Sequence, residues 1–341
     1  MYYSAMLKSY NTTGIGSLPF VDPVKASEFT INSVDIPFWP QLPKRGFREF
    51  MIPQYIEGFP FVFFEEDKLW IERGDEGELA SFYEKVGRGE DFPMSKDFAA
   101  GFFAFLELLK KKQEKLETVK GHITGPITFT LGLTDRNRRP IYFDEELREL
   151  SLELLKGKAR WQISQLKPFA DEVVIFVDEP VMSAIGSSSY VGVNNDEVVR
   201  MLKTVVHAIR NSGAITGIHC CSKADWSLAI KSGVDILSFD AFDYAESIHL
   251  YPEEIKQFTD KGGFLAWGIV PSTEQFRWTT QNNLKSRLEE EMATLEKMGI
   301  SSETLHKQCL LTPSCGTGSM EKEDNDKIFN LLKELRAAYL G

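Results

Sequence analysis

Val173-Val174-Ile175-Phe176-Val177-Asp178-Glu179-Pro180 is a continuous apolar run closed by two carboxylates and a proline. An unbroken apolar run is what a parallel strand buried on both faces requires, whereas a strand with one wet face would alternate. Pro180 ends the strand, because it has no N–H to give to a ladder. Working outward, short β-rich runs that finish in small or polar residues recur at 12–17, 34–40, 119–125, 172–178, 214–220, 235–240, 263–268 and 308–313. Helical patterns follow most of them. Asn194 is an N-cap with Glu197 three residues on, and Val198, Met201, Leu202, Val205 and Ile209 form one stripe. Ile328, Leu331, Leu332, Leu335 and Tyr339 form another in the last helix. Eight strands alternating with helices predict an α/β fold, a (β/α)8 TIM barrel in one domain over 1–341, with a doubly wound open sheet as the other topology. The stretch from about 41 to 93 breaks the rhythm with aromatics, glycines and charges, among them Phe59-Pro60-Phe61-Val62-Phe63-Phe64 and Lys68-Leu69-Trp70-Ile71. It predicts an inserted hairpin or lid region after strand two, either covering the barrel mouth or folding over a small core of its own.

The charge balance narrows the partners. Thirty-nine Lys and Arg against 50 Asp and Glu leave a net charge of −11. Nucleic acid and anionic membranes both demand a positive surface, so the expected partner is a small molecule. No run reaches the ~18 apolar residues of a membrane span, and the first ten residues lack the apolar core of a signal peptide. The expectation is a cytoplasmic protein, in which four cysteines are metal ligands, catalytic thiols or core residues rather than disulfide partners.

Barrel enzymes carry their chemistry at the C-terminal ends of the strands. Here those ends hold Ser17, Gln41, Thr124, Asp178, Glu179, His219, Cys220, Cys221, Asp240, Trp267 and Cys315. In His219-Cys220-Cys221 residues i and i+2 point the same way, so His219 and Cys221 can hold one ion while Cys220 turns to the barrel wall. Cys315, within Pro313-Ser314-Cys315-Gly316-Thr317-Gly318, supplies a third donor from another strand end, and such an N/S set suits zinc. Asp240 supplies an oxygen ligand, or leaves that position to water or substrate. A lone cysteine is most often a small buried hydrophobe, and Cys309 is read that way. Asp178 and Glu179 can bind a substrate ammonium or serve as acid and base, or else cap the next loop. His122 lies inside its strand and His207 in mid-helix, both read as structural, while His249 is a candidate proton donor.

Taken in order, Thr13-Gly14-Ile15-Gly16-Ser17-Leu18-Pro19, Gly125-Pro126-Ile127-Thr128, Val177-Asp178-Glu179-Pro180, His219-x-Cys221, Pro271-Ser272-Thr273-Glu274 and Cys315-Gly316 resemble the catalytic C-terminal barrel of cobalamin-independent methionine synthase. That family shares a superfamily with uroporphyrinogen decarboxylase and the corrinoid:thiol methyltransferases. The likeness covers most of the chain outside the 41–93 stretch, and its most specific part is the His-x-Cys with the late cysteine. It implies a Zn2+-dependent S-methyltransferase in which the metal lowers the pKa of a substrate thiol, homocysteine, for attack on a methyl donor. His219, Cys221 and Cys315 would be ligands, and Asp240 stands where the family has a glutamate ligand, one methylene longer. The resemblance further implies that Ile15, Gly16 and Ser17 hold the substrate carboxylate and that Asp178 receives its ammonium. Two departures matter. The chain has length for one barrel where the family has two, and Phe264-Leu265-Ala266-Trp267-Gly268-Ile269 replaces a histidine-bearing stretch associated with protonating the departing folate. Both favour methylcobalamin or a corrinoid protein over 5-methyltetrahydrofolate as donor. Two other readings compete: a metal-free decarboxylase of the uroporphyrinogen type, with Arg45 and Arg48 holding an acidic substrate, and a non-catalytic zinc-binding or corrinoid-partner protein.

Overall fold

The computed structural model describes residues 7–340. Seven parallel strands form one sheet. They are β1 (Asn11–Thr12), then, after the two strands of a separate hairpin, β2 (Val62–Glu65) and β3 (Lys68–Ile71), the remaining six: β4 (Leu116–Thr124), β5 (Ala170–Asp178), β6 (Ile215–Cys220), β7 (Ile236–Phe239), β8 (Phe264–Val270) and β9 (Cys309–Pro313). The order β1-β9-β8-β7-β6-β5-β4 is sequential around the sheet, as expected for a TIM-like barrel. Its two edges meet across residues 36–41. Ile36 N–H donates to Thr12 O and Gln41 N–H to Gly16 O on one side, while Lys120 N–H donates to Pro37 O on the other. Ser17↔Gln41 and Phe38↔Lys120 are parallel bridges.

The expected second strand, 34–40, is therefore present as bridges and not as a ladder. Pro37 and Pro40 carry no N–H, which removes two of the donors a continuous strand would use. The expected first strand contributes only two residues to the regular ladder. Beyond them the chain divides its bonds between β9, through Thr13 N–H to Leu311 O, and the 36–41 segment.

Helices follow the strands on the outside: α1 (Pro23–Ser33), α2 (Glu76–Gly87), α3 (Ala100–Lys111), α4 (Pro126–Gly132), α5 (Glu145–Leu166), α6 (Asn195–Asn211), α7 (Trp226–Ser232), α8 (Pro252–Asp260), α9 (Gln281–Lys297), α10 (Ser302–Lys307) and α11 (Lys322–Leu340). Asn194 caps α6, its side chain accepting from Asp196 N–H at 2.7 Å, and the five stripe residues behind it are buried. No helix among the described residues is long and apolar enough to cross a membrane.

Strand parity separates two cores. Val173, Ile175 and Val177 share the large outer core with Leu155, Ala159 and Ile163 of α5. Val174 and Phe176 join Ile36, Ile215, Ile236, Phe264 and Leu310 in a second apolar cluster that fills the barrel's centre. Asp178 continues the parity of Val174 and Phe176, so it stands above this plug and not in the wall.

Between 41 and 93 lie short 3-10 turns, the antiparallel β2–β3 pair and α2. Among the long-range bonds that fasten the stretch to the barrel, three reach the strand β4 and helix α5 from its first half. Tyr55 Oη donates to His122 O at 2.6 Å, Thr124 Oγ1 donates to Met51 O at 2.5 Å, and the buried Lys158 ammonium donates to Glu57 O at 2.6 Å. The first two bring residues 51–55 to the C-terminal end of β4.

Candidate functional site

At the end of β6, His219 is buried in the barrel interior and its Nδ1 lies 3.0 Å from Ser238 Oγ on β7. That contact fixes the ring and leaves Nε2 buried with no partner. Cys221, two residues on, and Cys315, just past β9, bring their sulfurs to the same place. The ligand atoms of His219, Cys221 and Cys315 all lie within 4.8 Å of one another. A hydrogen bond from Cys315 and the neighbouring His219 imidazole hold the Cys221 thiol well below the usual thiol range, while the same bond and burial hold Cys315 up. An unpartnered imidazole nitrogen beside two thiols is a donor set that fits zinc. Ser238 is the outer-layer residue that orients such a ligand.

Cys315 is placed by its neighbours. Ser314 Oγ accepts from Ser272 N–H at 3.1 Å, joining the loop after β8 to the end of β9. Gly316 allows the loop after β1 to close in, since a Cβ there would sit 2.1 Å from Ser17 Oγ. Thr317 N–H donates to Ser17 O at 2.9 Å. Ser17 thus lies beside the Cys315-Gly316 turn, with Ile15 and Gly16 leading into it.

Asp178 ends β5, paired in register with Thr124 of β4 and His219 of β6. Its Oδ1 is buried without a partner. Burial pushes its pKa up to about 6, against the pull of His219 and Lys120. Glu179 is placed differently. One oxygen accepts from Ile127 N–H at 2.8 Å, and the other from Thr128 N–H at 2.8 Å and Thr128 Oγ1 at 2.7 Å. It caps the start of α4 and is wholly buried, so of the adjacent carboxylates only Asp178 keeps a free oxygen toward the interior.

Asp240 follows β7, and its Oδ1 is engaged by Phe242 N–H at 2.9 Å and Asp243 N–H at 2.8 Å. It lies outside the compact group formed by the imidazole and the two thiols. Burial raises its pKa to about 6, with a further contribution from the Cys221 charge. Cys220 and Cys309 are core residues with no exposure, and burial pushes the Cys220 thiol up to about 12. Trp267 packs on Phe239 at 5.0 Å between centroids, in the outer core. Gln41 donates to Gln54 Oε1 at 2.9 Å. His249 Nε2 lies 3.3 Å from Glu291 on α9. Arg45 is held by Glu49 and Val21 O, and Arg48 stacks over Phe64 and Phe98 while facing Asp97.

Sequence reasoning passed over two interior groups, Ser238 and Lys120, and read a third, His122, as structural. Ser238 shares the parity of Asp240, two residues on. Lys120 is fully buried beneath the mouth, donating to Ile15 O at 2.5 Å and lying 4.5 Å from the Phe176 ring centroid. Burial lowers its pKa to about 8, and the Asp178 charge opposes the fall. His122 lies on the same face of β4 as Lys120 and Thr124. The alternation of β4 read from Thr124 backward was the available signal for both.

No family model matches the sequence, and no curated protein matches it either. Among solved structures the chain is similar to a B12-independent methionine synthase from Shewanella sp. W3-18-1 in complex with selenomethionine, at 14% identity over 98% of each chain with a TM-score of 0.61. It is also similar to a methyltransferase from Methanosarcina mazei, at 12% identity over 98% of this chain and 95% of that one, with a TM-score of 0.56. At these identities the likeness is one of fold.

Proposed function

We propose that the chain is a methionine synthase-like methyltransferase that transfers a methyl group to a thiol, with homocysteine as the thiol and methionine as the product. The observation that carries this reading is the convergence of His219, Cys221 and Cys315 at the ends of β6 and β9, with their ligand atoms within 4.8 Å of one another. The two methyltransferase structures that share the fold support it.

His219 Nε2 and the two sulfurs would hold Zn2+, while Asp240, its Oδ1 engaged by Phe242 and Asp243 N–H, stands outside that group and leaves a further position to water or substrate. Bound there, zinc supplies the Lewis acidity that lowers a thiol's pKa and makes its thiolate available at neutral pH. Ser238 keeps the His219 ring in register. Asp178, with its unpartnered oxygen, takes the substrate ammonium, and the Ile15-Gly16-Ser17 loop takes the carboxylate. Glu179 positions the α4 start beside Asp178 and takes no proton from the substrate.

For the methyl donor we favour methylcobalamin or a corrinoid protein over 5-methyltetrahydrofolate. A folate nitrogen needs a proton as it departs, whereas reduced cobalt does not. Residues 264–269 offer no acid there, and His249 is turned to Glu291.

Zinc content of protein purified without added metal tests the reading. Stoichiometric zinc is expected in the wild type and in Cys309→Ser, and its loss in Cys221→Ser and Cys315→Ser. Absence of zinc from the wild type after reconstitution with reduced thiols would overturn it.

A further inference from the structure

Of the four cysteines, two are sealed in the wall and two face each other. Cys220 and Cys309 have no exposure, and their sulfurs look onto backbone oxygens, Ser222 O at 3.7 Å and Leu310 O at 3.9 Å. Cys221 and Cys315 are half-buried at the mouth, open to a small solute. Their sulfurs lie within 4.8 Å of each other. The Cys315 thiol donates a hydrogen bond to the Cys221 sulfur.

Both sulfurs are carried just past the regular strands. β6 ends at Cys220 and β9 at Pro313, so neither Cys221 nor Cys315 is tied into a ladder. The residues around Cys315 are anchored, Ser314 to Ser272 and Thr317 to Ser17 O, which keeps its sulfur at the mouth. β7 and β8 stand between β6 and β9 in the sheet, so the folded barrel is what brings the two thiols together. In such a pair, oxidation of one sulfur is captured by the other, because a sulfenic acid condenses with a neighbouring thiol.

We propose that Cys221 and Cys315 are a reversible redox pair that closes to a disulfide across the barrel mouth when a peroxide oxidises the zinc-free chain. The Cys221 sulfur attacks one peroxide oxygen; an S–O bond forms, the O–O bond breaks, and the departing oxygen takes the thiol proton and leaves as water. The Cys315 sulfur then attacks the Cys221 sulfur; the S–S bond forms, the S–O bond breaks, and the hydroxyl leaves with the Cys315 proton as a second water. The two sulfurs give up two electrons and the peroxide takes them. Disulfide and metal exclude each other, since zinc takes thiolate sulfur. The proposal stands on the placement of the two sulfurs and goes beyond the methyltransferase reading.

Hydrogen peroxide added to the metal-stripped full chain, followed by thiol counting in denaturant and peptide mapping, tests it. Free thiols are expected to fall from four to two, with Cys221 joined to Cys315 and with Cys220 and Cys309 untouched. Dithiothreitol restores all four. In Cys315→Ser the Cys221 sulfenic acid has no thiol to condense with and is trapped by dimedone; should that variant not fold, the wild-type map decides. Pairing of Cys221 with Cys220, oxidation of Cys221 to the sulfinic acid beside a free Cys315, or survival of all the thiols in excess peroxide overturns the proposal. The metal reading is tested apart from it. Zinc at about ten times its dissociation constant slows disulfide formation about tenfold, because only the metal-free thiols react. A disulfide that forms equally fast with zinc present would remove the metal reading and leave the redox pair standing. Zinc binding by a chain that forms no disulfide when stripped would do the reverse.

Discussion

Replacing Ser238 by alanine tests whether His219 is built as a ligand. Ser238 has no exposure, and its hydroxyl lies 3.0 Å from His219 Nδ1. With Nε2 on a metal, Nδ1 carries the proton and donates to Oγ, so the serine fixes both tautomer and ring angle. Its loss leaves a buried N–H without an acceptor, which costs about 1–3 kcal/mol. Part of that penalty falls on the fold with or without metal. The part that appears on binding corresponds to roughly a ten- to hundredfold weaker zinc affinity, the range seen for outer-layer partners of metal-bound histidines. Competition against a chromophoric chelator reads the zinc dissociation constant, and urea unfolding of the metal-free protein reads the fold's share. A replacement that lowers metal-free stability while leaving zinc affinity unchanged would show that His219 is held for packing, and would refute the reasoning.

Glu179→Ala removes a carboxylate that accepts three hydrogen bonds at the start of α4 and leaves Ile127 and Thr128 N–H buried without an acceptor. It is expected to cost about 2–4 kcal/mol in urea unfolding while zinc content stays stoichiometric; lost zinc in a stable variant would place Glu179 in the site itself. Glu49 is buried between the Leu42 and Ala100 N–H groups and Arg45, and burial pushes its pKa up to about 7. A raised carboxyl pKa stabilises the fold fully below the ordinary carboxylate value and loses that contribution as pH rises to about 7, a change of about 3 kcal/mol across the window. The stability of Glu49→Gln should lack this fall, and parallel profiles for variant and wild type between pH 5 and 7 would contradict it.

The strands were legible where one physical signal dominated. The continuous apolar run 173–177 marks a strand buried on both faces, and the structure extends it to Ala170–Asp178. The 34–40 run is also rich in apolar residues, but Pro37 and Pro40 take away the donors that a ladder needs, a local rule that should have outweighed the apolar pattern. At the site, two-residue parity correctly separates His219 and Cys221 from Cys220. What parity cannot supply is the partner on the neighbouring strand. Whether Glu179 faces substrate or a helix start depends on where α4 begins relative to β5, and the register Thr124↔Asp178 decides it. Ser238 was overlooked, and His122 read as structural, for a related reason. A serine inside a strand carries no signal until its cross-strand neighbour is known to be a histidine, and a histidine inside a strand reads as core until its ring is found with nothing to bond.

The unpaired buried groups of this barrel are informative because of where they cluster. Asp178 Oδ1, His219 Nε2 and both nitrogens of His122 lie on three consecutive strands, β4, β5 and β6, on the inward face above the apolar plug. Each would gain from an apolar substitution if folding alone were at stake, since an unsatisfied buried polar atom opposes the fold. Glu179 shows the alternative in the same neighbourhood: a buried carboxylate whose oxygens are both occupied, and which therefore belongs to the scaffold. Local choices that conflict with a stable core point to binding when they converge on one space. Asp178 and His219 stand side by side in register at the ends of β5 and β6, and His219 Nε2 lies beside the two thiols, so two of these unpaired atoms meet at one place.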